Sequence, residues 1–395
     1  MELPVKQFQT RAEQALVDLF NAAEQGLPGA GNPWVADLRA KAIDAYGILG
    51  LPHRRVEAWK YTDLRSKLTE ALPLARATGV AVTEAEIARA FSADIADLDA
   101  YRLVIVEGEL RSDLSSLAGL KAAGAEVVSI TEALQKPPRW LKDSLGKINS
   151  QDRDPVAALN LALMSGGVGL RLAKGVSLDK PVHVMHLDGG SDPSSVITRS
   201  VVLVEEDASL DLLESYASLG ETELQRNAVT EIEVGNKASL NHVKLQRESG
   251  TAFHLVTWLL KLDADANYKA FQFSTGAVLS RSQIYAAFTG EGSALDVSGA
   301  LLMRGHQHCD TTLLVEHRVP RCVSRELFKA VLDNEARGVF QGKIIVSPGA
   351  QKTDGKQMAQ ALLLSETAEF DSKPELEIFA DDVVCGHGST SGQID

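Results

Sequence analysis

Hydrophobic positions follow two different periods along this chain, and the change falls near residue 154. In the first 90 residues apolar side chains recur every three or four positions, as in "VKQFQTRAEQALVDLFNAAEQ" and "NPWVADLRAKAIDAYGILGLP". This spacing puts apolar side chains on one helix face, so we expect helices, with Asn32 as an N-cap before Pro33. A small α/β unit should follow, with strands at "YRLVIVEGEL" and "AEVVSI" around the helix "SSLAGLKAAG".

After one more helix, at "DPVAALNLALMSGG", apolar and polar residues alternate in short runs. "NHVKLQRE" places Val243 and Leu245 opposite His242, Lys244 and Gln246. A period of two predicts strands with one buried face.

The combination of turn and strand itself repeats. "EEDASLDLL", "VGNKASLNHV", "DADANYKAF" and "GEGSALDVS" share an acidic or glycine turn, a small residue, a bulky residue and a strand. Spacings of 30, 28 and 27 residues separate the bulky positions, which are Leu210, Leu240, Tyr268 and Leu295. Such a repeat is typical of stacked coils, so we predict a β-helix over about residues 165–385. A sandwich of regular hairpins is the alternative, and the scarcity of Asn-Gly and Asp-Gly turns disfavours it.

We therefore expect residues 1–153 to form a helical and α/β region and residues 154–385 to form the β-helix core. Residues 386–395 would begin a C-terminal segment that is cut short at Asp395. The end of a coil stack exposes unpaired backbone and apolar surface. The N-terminal helices could cap one end; at the other, we expect either that the natural molecule continues or that a partner covers the surface.

Composition and charge narrow the functional classes. The 395 residues carry 40 Lys and Arg against 53 Asp and Glu, a net charge of −13 at pH 7. This charge argues against nonspecific binding to nucleic acid or to an anionic membrane. Three widely spaced cysteines form no disulfide framework, as expected in a reducing compartment. With no apolar run of signal-peptide or membrane-spanning length, the sequence predicts a soluble cytoplasmic protein.

Two internal segments carry side chains that could bind a metal or act in hydrolysis. A strand through "RGHQHCD" would place His306 and His308 on one face and Cys309 on the other. We favour packing histidines there, because a third and a fourth ligand cannot be named. "VEHRVPRCVSRELF" offers His317 and Ser324, but no third orienting group or nucleophile elbow. We interpret Ser324 instead as an N-cap-like residue, with the following Glu in the first turn of a helix.

A third segment, "AQKTDGKQMAQ", gathers Lys352, Asp354 and Lys356 near polar amides. β-Helix carbohydrate enzymes use charged clusters of this kind, usually beside aromatic rings that stack on sugars. Aromatic residues make up only 5% of this chain. A carbohydrate-active enzyme therefore stays an alternative rather than the leading hypothesis.

The C-terminal "DDVVCGHGSTSGQID" holds Cys385 and His387 two residues apart. In a strand both side chains face one way, with Gly386 opposite. A thiolate and an imidazole suit soft or borderline metals, including the iron of iron–sulfur clusters. Two ligands do not complete a site, so the others would come from another chain. A small buried Cys before a glycine turn, with a solvated His, is an equally good interpretation of the spacing alone.

Several segments resemble the SufB/SufD family of the SUF iron–sulfur cluster assembly machinery. "RRVEAWKYTDLR" resembles the family's Arg-x-Glu-x-Trp-[Arg/Lys]-Tyr-Thr-Asp-Leu segment, and the stretch from "SRELFKAVLDNEARG" to "FDSKPELEI" resembles the block that SufB and SufD share. "DDVVCGHGSTSGQID" is similar to the family's Val-Lys-Cys-Ser-His-Gly-Ala-Thr-Val-Gly-Gln-Leu-Asp. The SufD branch is the better match, because the first cysteine is Cys309 and His387 is followed by Gly388 instead of Glu.

The resemblance implies a right-handed parallel β-helix between helical segments, in an assembly subunit that is not an enzyme. It implies a SufB-like partner, a SufC-like ABC ATPase bound through a C-terminal helical segment missing here, and a homodimer when the chain is isolated. His387 would be the preferred ligand, and Cys385 a second candidate, for a transient iron–sulfur cluster at the SufB interface. No cluster is expected in the isolated chain. A purely structural partner without a cluster ligand is the remaining alternative.

Overall fold

The computed structural model describes residues 10–75, 82–149, 154–188, 190 and 192–393. Three predicted stretches lie outside these residues: the start of the first helix at residues 5–9, the domain boundary at 150–153, and the last two residues of the C-terminal segment. The described α-helices all end before residue 164. They are α1 (Arg11–Ala23), α2 (Pro33–Leu49), α3 (Leu64–Lys67), α4 (Glu84–Phe91), α5 (Ala93–Ala96), α6 (Leu117–Ala122), α7 (Ile130–Ala133), α8 (Arg139–Ser144) and α9 (Pro155–Leu163). Short 3-10 helices cover Glu24–Gly26, Glu57–Trp59 and Ser112–Leu114.

The strands begin within the N-terminal region and continue to the end of the described chain. They are β1 (Tyr101–Val106), β2 (Glu109–Leu110), β3 (Ala125–Ser129), β4 (Val168–Leu172), β5 (Val182–Asp188), β6 (Ser194–Val204), β7 (Ser209–Ser218), β8 (Leu224–Val234), β9 (Ser239–Arg247), β10 (Ala252–Leu262), β11 (Asn267–Ser274), β12 (Leu279–Phe288), β13 (Ala294–Met303), β14 (His308–His317), β15 (Val323–Leu332), β16 (Arg337–Val346), β17 (Asp354–Leu363), β18 (Glu369–Ile378) and β19 (Val384–Gln393).

Successive strands of the C-terminal half lie in opposite sheets. Sheet 1 has the order β19-β17-β15-β13-β11-β9-β7-β5-β1-β2, and sheet 2 has the order β18-β16-β14-β12-β10-β8-β6-β4-β3. From β4 onward, each strand pairs in parallel with the strand two places along the chain. The predicted parallel β-helix is therefore confirmed, and the hairpin sandwich is wrong.

The predicted repeat positions lie side by side in sheet 1. The register pairs Leu210 with Leu240, Leu240 with Tyr268, and Tyr268 with Leu295. All four side chains are buried, because they point between the sheets. We call the full row the first column; it consists of Leu210, Leu240, Tyr268, Leu295, Ser324, Gly355 and Cys385.

A second inward-facing row runs two residues farther along each strand. This second column consists of Leu212, His242, Ala270, Val297, Glu326, Gln357 and His387. In both columns, small or polar residues replace apolar ones from β15 to the end of the stack. The last three strands of sheet 1 therefore have a more polar interior here than those before them.

Helices α1, α2, α3 and α9 pack on the outer face of sheet 2, whereas α4 packs on sheet 1. Phe20, Tyr46 and Trp59 form one apolar cluster with residues of β6, β10 and β12. Polar contacts fix the same face: the guanidinium of Arg281 lies 3.8 Å from the Trp59 ring and donates to the Ala58 carbonyl at 2.6 Å. The helical layer and the coils thus share one apolar cluster.

The assignment of Ser324 to a helix N-cap is wrong. Ser324 and Glu326 both lie in β15, and their side chains are buried between the sheets. Parallel pairing with β13 and β17 on both sides outweighs the local helix propensity of "RELFKAVL". Strand β1 of the N-terminal region pairs with β5 in sheet 1, and β19 extends from Val384 to Gln393.

Candidate functional site

Cys385 and His387 lie in β19, the last strand of sheet 1 within the described chain. β19 pairs with β17 on one side, and no described strand lies on its other side. The register sets Cys385 beside Gly355 and His387 beside Gln357. Both residues therefore end an inward-facing column, and Gly386 takes the outward position between them.

The Cys385 thiol is half-buried and packs against the core between the sheets. Burial raises its pKa above the ordinary value, and the carboxyl groups of Asp354 and Glu326 raise it further. A hydrogen bond with the Gly355 backbone opposes this increase. Because the thiolate is the metal-binding form, a raised pKa opposes metal binding by Cys385.

The His387 side chain is exposed to solvent. The other histidines of the β-helix, apart from the turn residue His306, are buried in its strands; they are His183, His186, His242, His254, His308 and His317. An exposed imidazole on a terminal strand can reach a group that approaches from outside the chain. Of the two predicted ligands, His387 is therefore the more accessible.

An open cleft of about 580 Å³ adjoins these two residues. Its lining includes Cys385, His387, Gln357 and Glu326 from the two columns, with Asp296 on the rim. The cleft therefore joins the exposed end of the stack to the polar part of its interior.

Glu326 carries the most perturbed carboxyl group in the cleft. Its side chain is 3% exposed, and neither carboxyl oxygen has a hydrogen-bond partner of acceptable geometry among the described residues. Burial raises its pKa to about 8, although the nearby Ser324 hydroxyl and Arg325 guanidinium lower it slightly. Burial therefore disfavours the ionised form of the Glu326 carboxyl group, which the described residues do little to stabilise.

Gln357 lies between Glu326 and His387 in the second column. Its Nε2 donates to the carbonyl oxygen of Glu375 in β18 at 3.0 Å. This bond fixes the amide across the interior, and Oε1 is left buried without a donor among the described groups. The cleft thus contains three buried acceptor oxygens on neighbouring strands.

No complete metal site is preformed at this position. The described part of the chain contains no group of three His, Cys, Asp or Glu side chains arranged to bind one metal ion. A cluster held by Cys385 and His387 would therefore need ligands from elsewhere.

The two histidines of "RGHQHCD" do not form a pair. His306 lies in the turn before β14, with a side chain 78% exposed and 3.3 Å from the Glu335 carboxylate. His308 opens β14, is buried, and lies 2.8 Å from the Thr62 hydroxyl. Burial raises the pKa of the neighbouring Cys309 to about 12. His306 is therefore exposed in a turn, whereas His308 and Cys309 are buried in β14.

His317 and Ser324 do meet, inside the core. His317 Nε2 lies 3.0 Å from Ser324 Oγ, and both residues are fully buried. His317 Nδ1 has no hydrogen-bond partner among the described residues, so no orienting group completes a catalytic triad. Burial also lowers the His317 pKa to about 4, which makes the imidazole a poor general base.

The charged cluster around Asp354 is paired internally. Lys352 pairs with Asp382, and Arg325 binds the Asp354 carboxylate at 2.5 Å. Lys356 lies 3.9 Å from the same carboxylate. The lining of the adjoining cleft includes no Phe, Tyr or Trp, so the stacking surface expected of a carbohydrate enzyme is not found there.

Glu326 and Gln357 are the cleft residues that sequence reasoning missed. The signal was available: steps of 29, 31 and 30 residues from Leu295 reach Ser324, Gly355 and Cys385. Carrying the repeat forward by this count would have placed Glu326 inside the stack. The residues next to Glu326 in the sequence favour a helix, so sequence reasoning did not place Glu326 in a strand.

Within the described chain, no helix has both the length and the apolar character needed to cross a bilayer.

Two family models together match almost the whole chain. Residues 10–184 match the SufBD protein N-terminal region, and residues 186–395 match the SufBD core domain of SUF system FeS cluster assembly. The chain belongs to the SufBD family. SufBD core residues thus include the cleft and every strand from β6 onward.

Individual SufBD relatives align along most of the chain. A SufBD family protein of Synechocystis is 29% identical over 99% of this chain and 84% of its own length. SufD of Escherichia coli is 31% identical over 88% of this chain and 78% of its own length. SufD of Bacillus subtilis is 23% identical over 92% of this chain. These relatives are named as iron–sulfur cluster assembly proteins.

Proposed function

We propose that this chain is a non-catalytic subunit of an iron–sulfur cluster assembly complex. It pairs edge to edge with a SufB-like β-helix, and a SufC-like ABC ATPase joins through a C-terminal helical segment. The nascent cluster is the cargo of this complex and forms where the two β-helices meet. The observation that carries the proposal is an exposed His387 on a strand with one described neighbour, in a chain of the SufBD family.

The outer edge of β19 supports edge-to-edge pairing. Its outward-directed N–H and C=O groups meet no other described strand, and such an edge is a template for a strand from another chain. Val384 and Phe379 beside this edge are each 61% exposed. A partner strand would satisfy the backbone groups and cover this apolar surface.

The two side chains have unequal parts in this proposal. His387 presents an accessible imidazole to the partner, whereas the Cys385 thiol is half-buried and has a raised pKa. We infer that His387 supplies the cluster ligand and that Cys385 assists. A single imidazole holds iron less firmly than a thiolate, which suits a site that passes its cluster to an acceptor. The free thiols suit a reducing cytoplasm.

The test is His387→Ala in the complex with its SufB- and SufC-type partners. After anaerobic reconstitution with iron and sulfide, cluster-specific absorbance and Mössbauer signals should fall by about tenfold or more. Ser389→Ala is the matched control, because Ser389 is also exposed in β19 and lies two residues farther on the same face. Size-exclusion chromatography would establish that each complex is intact.

If the chain is a purely structural partner, the opposite result is expected: cluster assembly does not depend on Cys385 or His387. A double variant, Cys385→Ala with His387→Ala, would then assemble clusters as well as the unmodified complex. That result, in an intact complex, would remove both ligands from the proposal.

A further inference from the structure

The outer face of sheet 1 is covered by a helix over its first strands. There, Ile87 and Phe91 of α4 pack against outward side chains of β1, β5 and β7. Two cations of the sheet hold this helix: Arg102 pairs with Glu84 at 3.0 Å, and Arg247 donates to the Phe91 carbonyl at 3.4 Å. The first strands of this face thus bind a short amphipathic helix that carries acidic residues in its first turn.

Farther along the same face, large apolar side chains point outward into solvent. Five of them, between 37% and 48% exposed, form what we call the apolar patch; they are Phe271, Leu302, Leu327, Met358 and Leu362. The register places them in two rows across β11, β13, β15 and β17, four residues apart along the strands. The described chain has twelve exposed large apolar side chains, and the presence of five on one face is typical of an interaction surface.

The dimensions of the apolar patch suit one helix. Rows four residues apart are separated by about 13 Å, and four neighbouring strands extend over roughly 14 Å. An α-helix with its side chains is about 10 Å wide, and two to three turns cover a length of roughly 14 Å. The open cleft of about 580 Å³ borders the patch, because Leu327 and Met358 are among its lining residues. The patch therefore adjoins a depression that can receive a side chain.

The charges around the apolar patch differ in sign from the charge of the whole chain. Outward positions of β9, β11, β13, β15 and β17 carry five cationic and two anionic side chains, whereas the chain has a net charge of −13. The cations are Arg247, Lys269, Arg325, Lys329 and Lys356, and the anions are Asp296 and Asp354. Lys269 and Lys329 are exposed beside the patch. This local excess of positive charge favours an acidic partner.

We propose that the apolar patch binds an acidic amphipathic helix of a partner protein. Apolar side chains at intervals of three and four residues on that helix contact the patch, and acidic side chains at its margins meet Lys269 and Lys329. α4 is the precedent within this chain, since it is a helix with acidic residues that cations hold on the same face. This role requires neither His387 nor the outer edge of β19, so it is independent of the proposed function.

The test uses the isolated full chain and a fluorescein-labelled peptide as the model helix. The peptide has the sequence of residues 82–97, which includes α4 and four acidic residues, and a hydrocarbon cross-link keeps it helical. Fluorescence anisotropy should show saturable binding of one peptide per chain. Leu327→Asp and Met358→Asp should each weaken binding by at least about tenfold, because each puts a charge into the apolar contact. Ile48→Asp is the matched control: Ile48 is 51% exposed on α2, and this variant should bind within about twofold of the unmodified chain.

The charge of the partner is tested separately. Lys269→Glu and Lys329→Glu should each weaken binding by about threefold, whereas Lys136→Glu, at an exposed position of the N-terminal region, should have little effect. A peptide in which lysine replaces the four acidic residues should bind at least about tenfold more weakly. Thermal unfolding reports the folding of each variant, and Leu327→Ala, which adds no charge, should still weaken binding by about threefold. Equal affinity for the two peptides would contradict an acidic partner.

Hydroxyl-radical footprinting locates the contact and shows whether the apolar patch is free. Phe271, Leu327 and Met358 should be oxidised in the chain alone, and saturating peptide should protect all three. Protection before the peptide is added would mean that the chain covers its own patch, and it would overturn the proposal. Absence of saturable binding, or unchanged binding in both aspartate variants of the patch, would overturn it as well. Peptide binding should persist in His387→Ala whatever that variant does to cluster assembly, so the two proposals can fail separately.

Discussion

His317 shows how the interior of the β-helix changes a titratable side chain. Its ring lies 4.5 Å from that of Phe288, and its Nε2 bonds to Ser324. Burial lowers its pKa to about 4, from an ordinary value of 6.5. The imidazole is therefore neutral in the folded chain at pH values where an unfolded chain would protonate it.

This difference predicts a loss of stability in mild acid. Below pH 6.5 the unfolded state binds a proton that the folded state accepts only near pH 4, so the free energy of unfolding falls as the pH falls through that window. Between pH 7 and pH 5 the loss from His317 should be about 2 kcal/mol. Urea unfolding at the two pH values should show a smaller loss in His317→Gln than in the unmodified chain.

His306→Gln is the control for this experiment, since the His306 side chain is 78% exposed. It should retain the full loss of stability between pH 7 and pH 5. Equal losses in His317→Gln and the unmodified chain would show that the folded state protonates His317 readily.

At the scale of single residues, sequence reasoning identified the terminal pair but not its supporting residues. Cys385 and His387 stand out because glycines isolate them in a short motif. Glu326 has no such local mark: its burial results from strands 29 to 31 residues away on either side. A contact made by distant parts of the chain leaves no trace in a window of ten residues.

The segment that follows the Glu57–Trp59 helix attaches the helical layer to sheet 2. Within it, the Thr62 hydroxyl donates to Asp310 and lies 2.8 Å from His308 Nε2. Asp310 also pairs with Arg281, which holds the Ala58 carbonyl. One buried hydroxyl thus joins the segment to two residues of β14.

Thr62→Val should therefore weaken the attachment of this layer. The substitution keeps the shape of the side chain but leaves Asp310 and His308 each without one buried partner, at a cost of about 2 kcal/mol or more. The urea midpoint of unfolding measures the cost. Thr367→Val is the comparison: its exposed hydroxyl bonds only to the Asn334 carbonyl, so its midpoint should change little. Equal shifts in both variants would contradict this role for Thr62.

At the scale of elements, the periodicity of apolar residues predicted whether a segment is a helix or a strand better than it predicted where each element begins and ends. The helices at Arg11–Ala23 and Pro33–Leu49 were predicted, as were the strands at Tyr101–Val106, Ala125–Ser129 and Ser239–Arg247. Asn32 accepts the Trp34 N–H at 3.1 Å, which confirms the predicted N-cap. The error at β15 arose because strand formation there depends on pairing with β13 and β17, and local propensity does not contain that information.

The two ends of the coil stack are finished differently. At the N-terminal end, sheet 1 ends in the short antiparallel pair β1 and β2, and sheet 2 ends in β3, antiparallel to β4. At the other end the described chain finishes with β18 and β19, whose residues are largely half-buried or exposed. The repeat in the sequence predicted the stack, and the edge of β19 without a described neighbour is the feature on which the proposed pairing rests.

Self-association of the isolated chain should therefore use the β19 edge. Val384→Lys places a charge on that edge, where burial against a second copy would be unfavourable. Sedimentation equilibrium should show a dimer for the unmodified chain and a dissociation constant raised by at least about tenfold in the variant. Leu98→Lys is the control, because Leu98 is 39% exposed and belongs to the N-terminal region. A dimer that survives Val384→Lys but not Leu98→Lys would place the contact at the opposite end.

The regular register of sheet 1 has a geometric consequence. Each coil adds one strand to each sheet, so every repeat of about 30 residues moves the last strand by roughly 4.8 Å along the stack. Duplication or deletion of one repeat would shift β19 by that step and leave the pairing of the remaining coils intact. The number of coils thus sets the distance along the stack between the N-terminal region and β19.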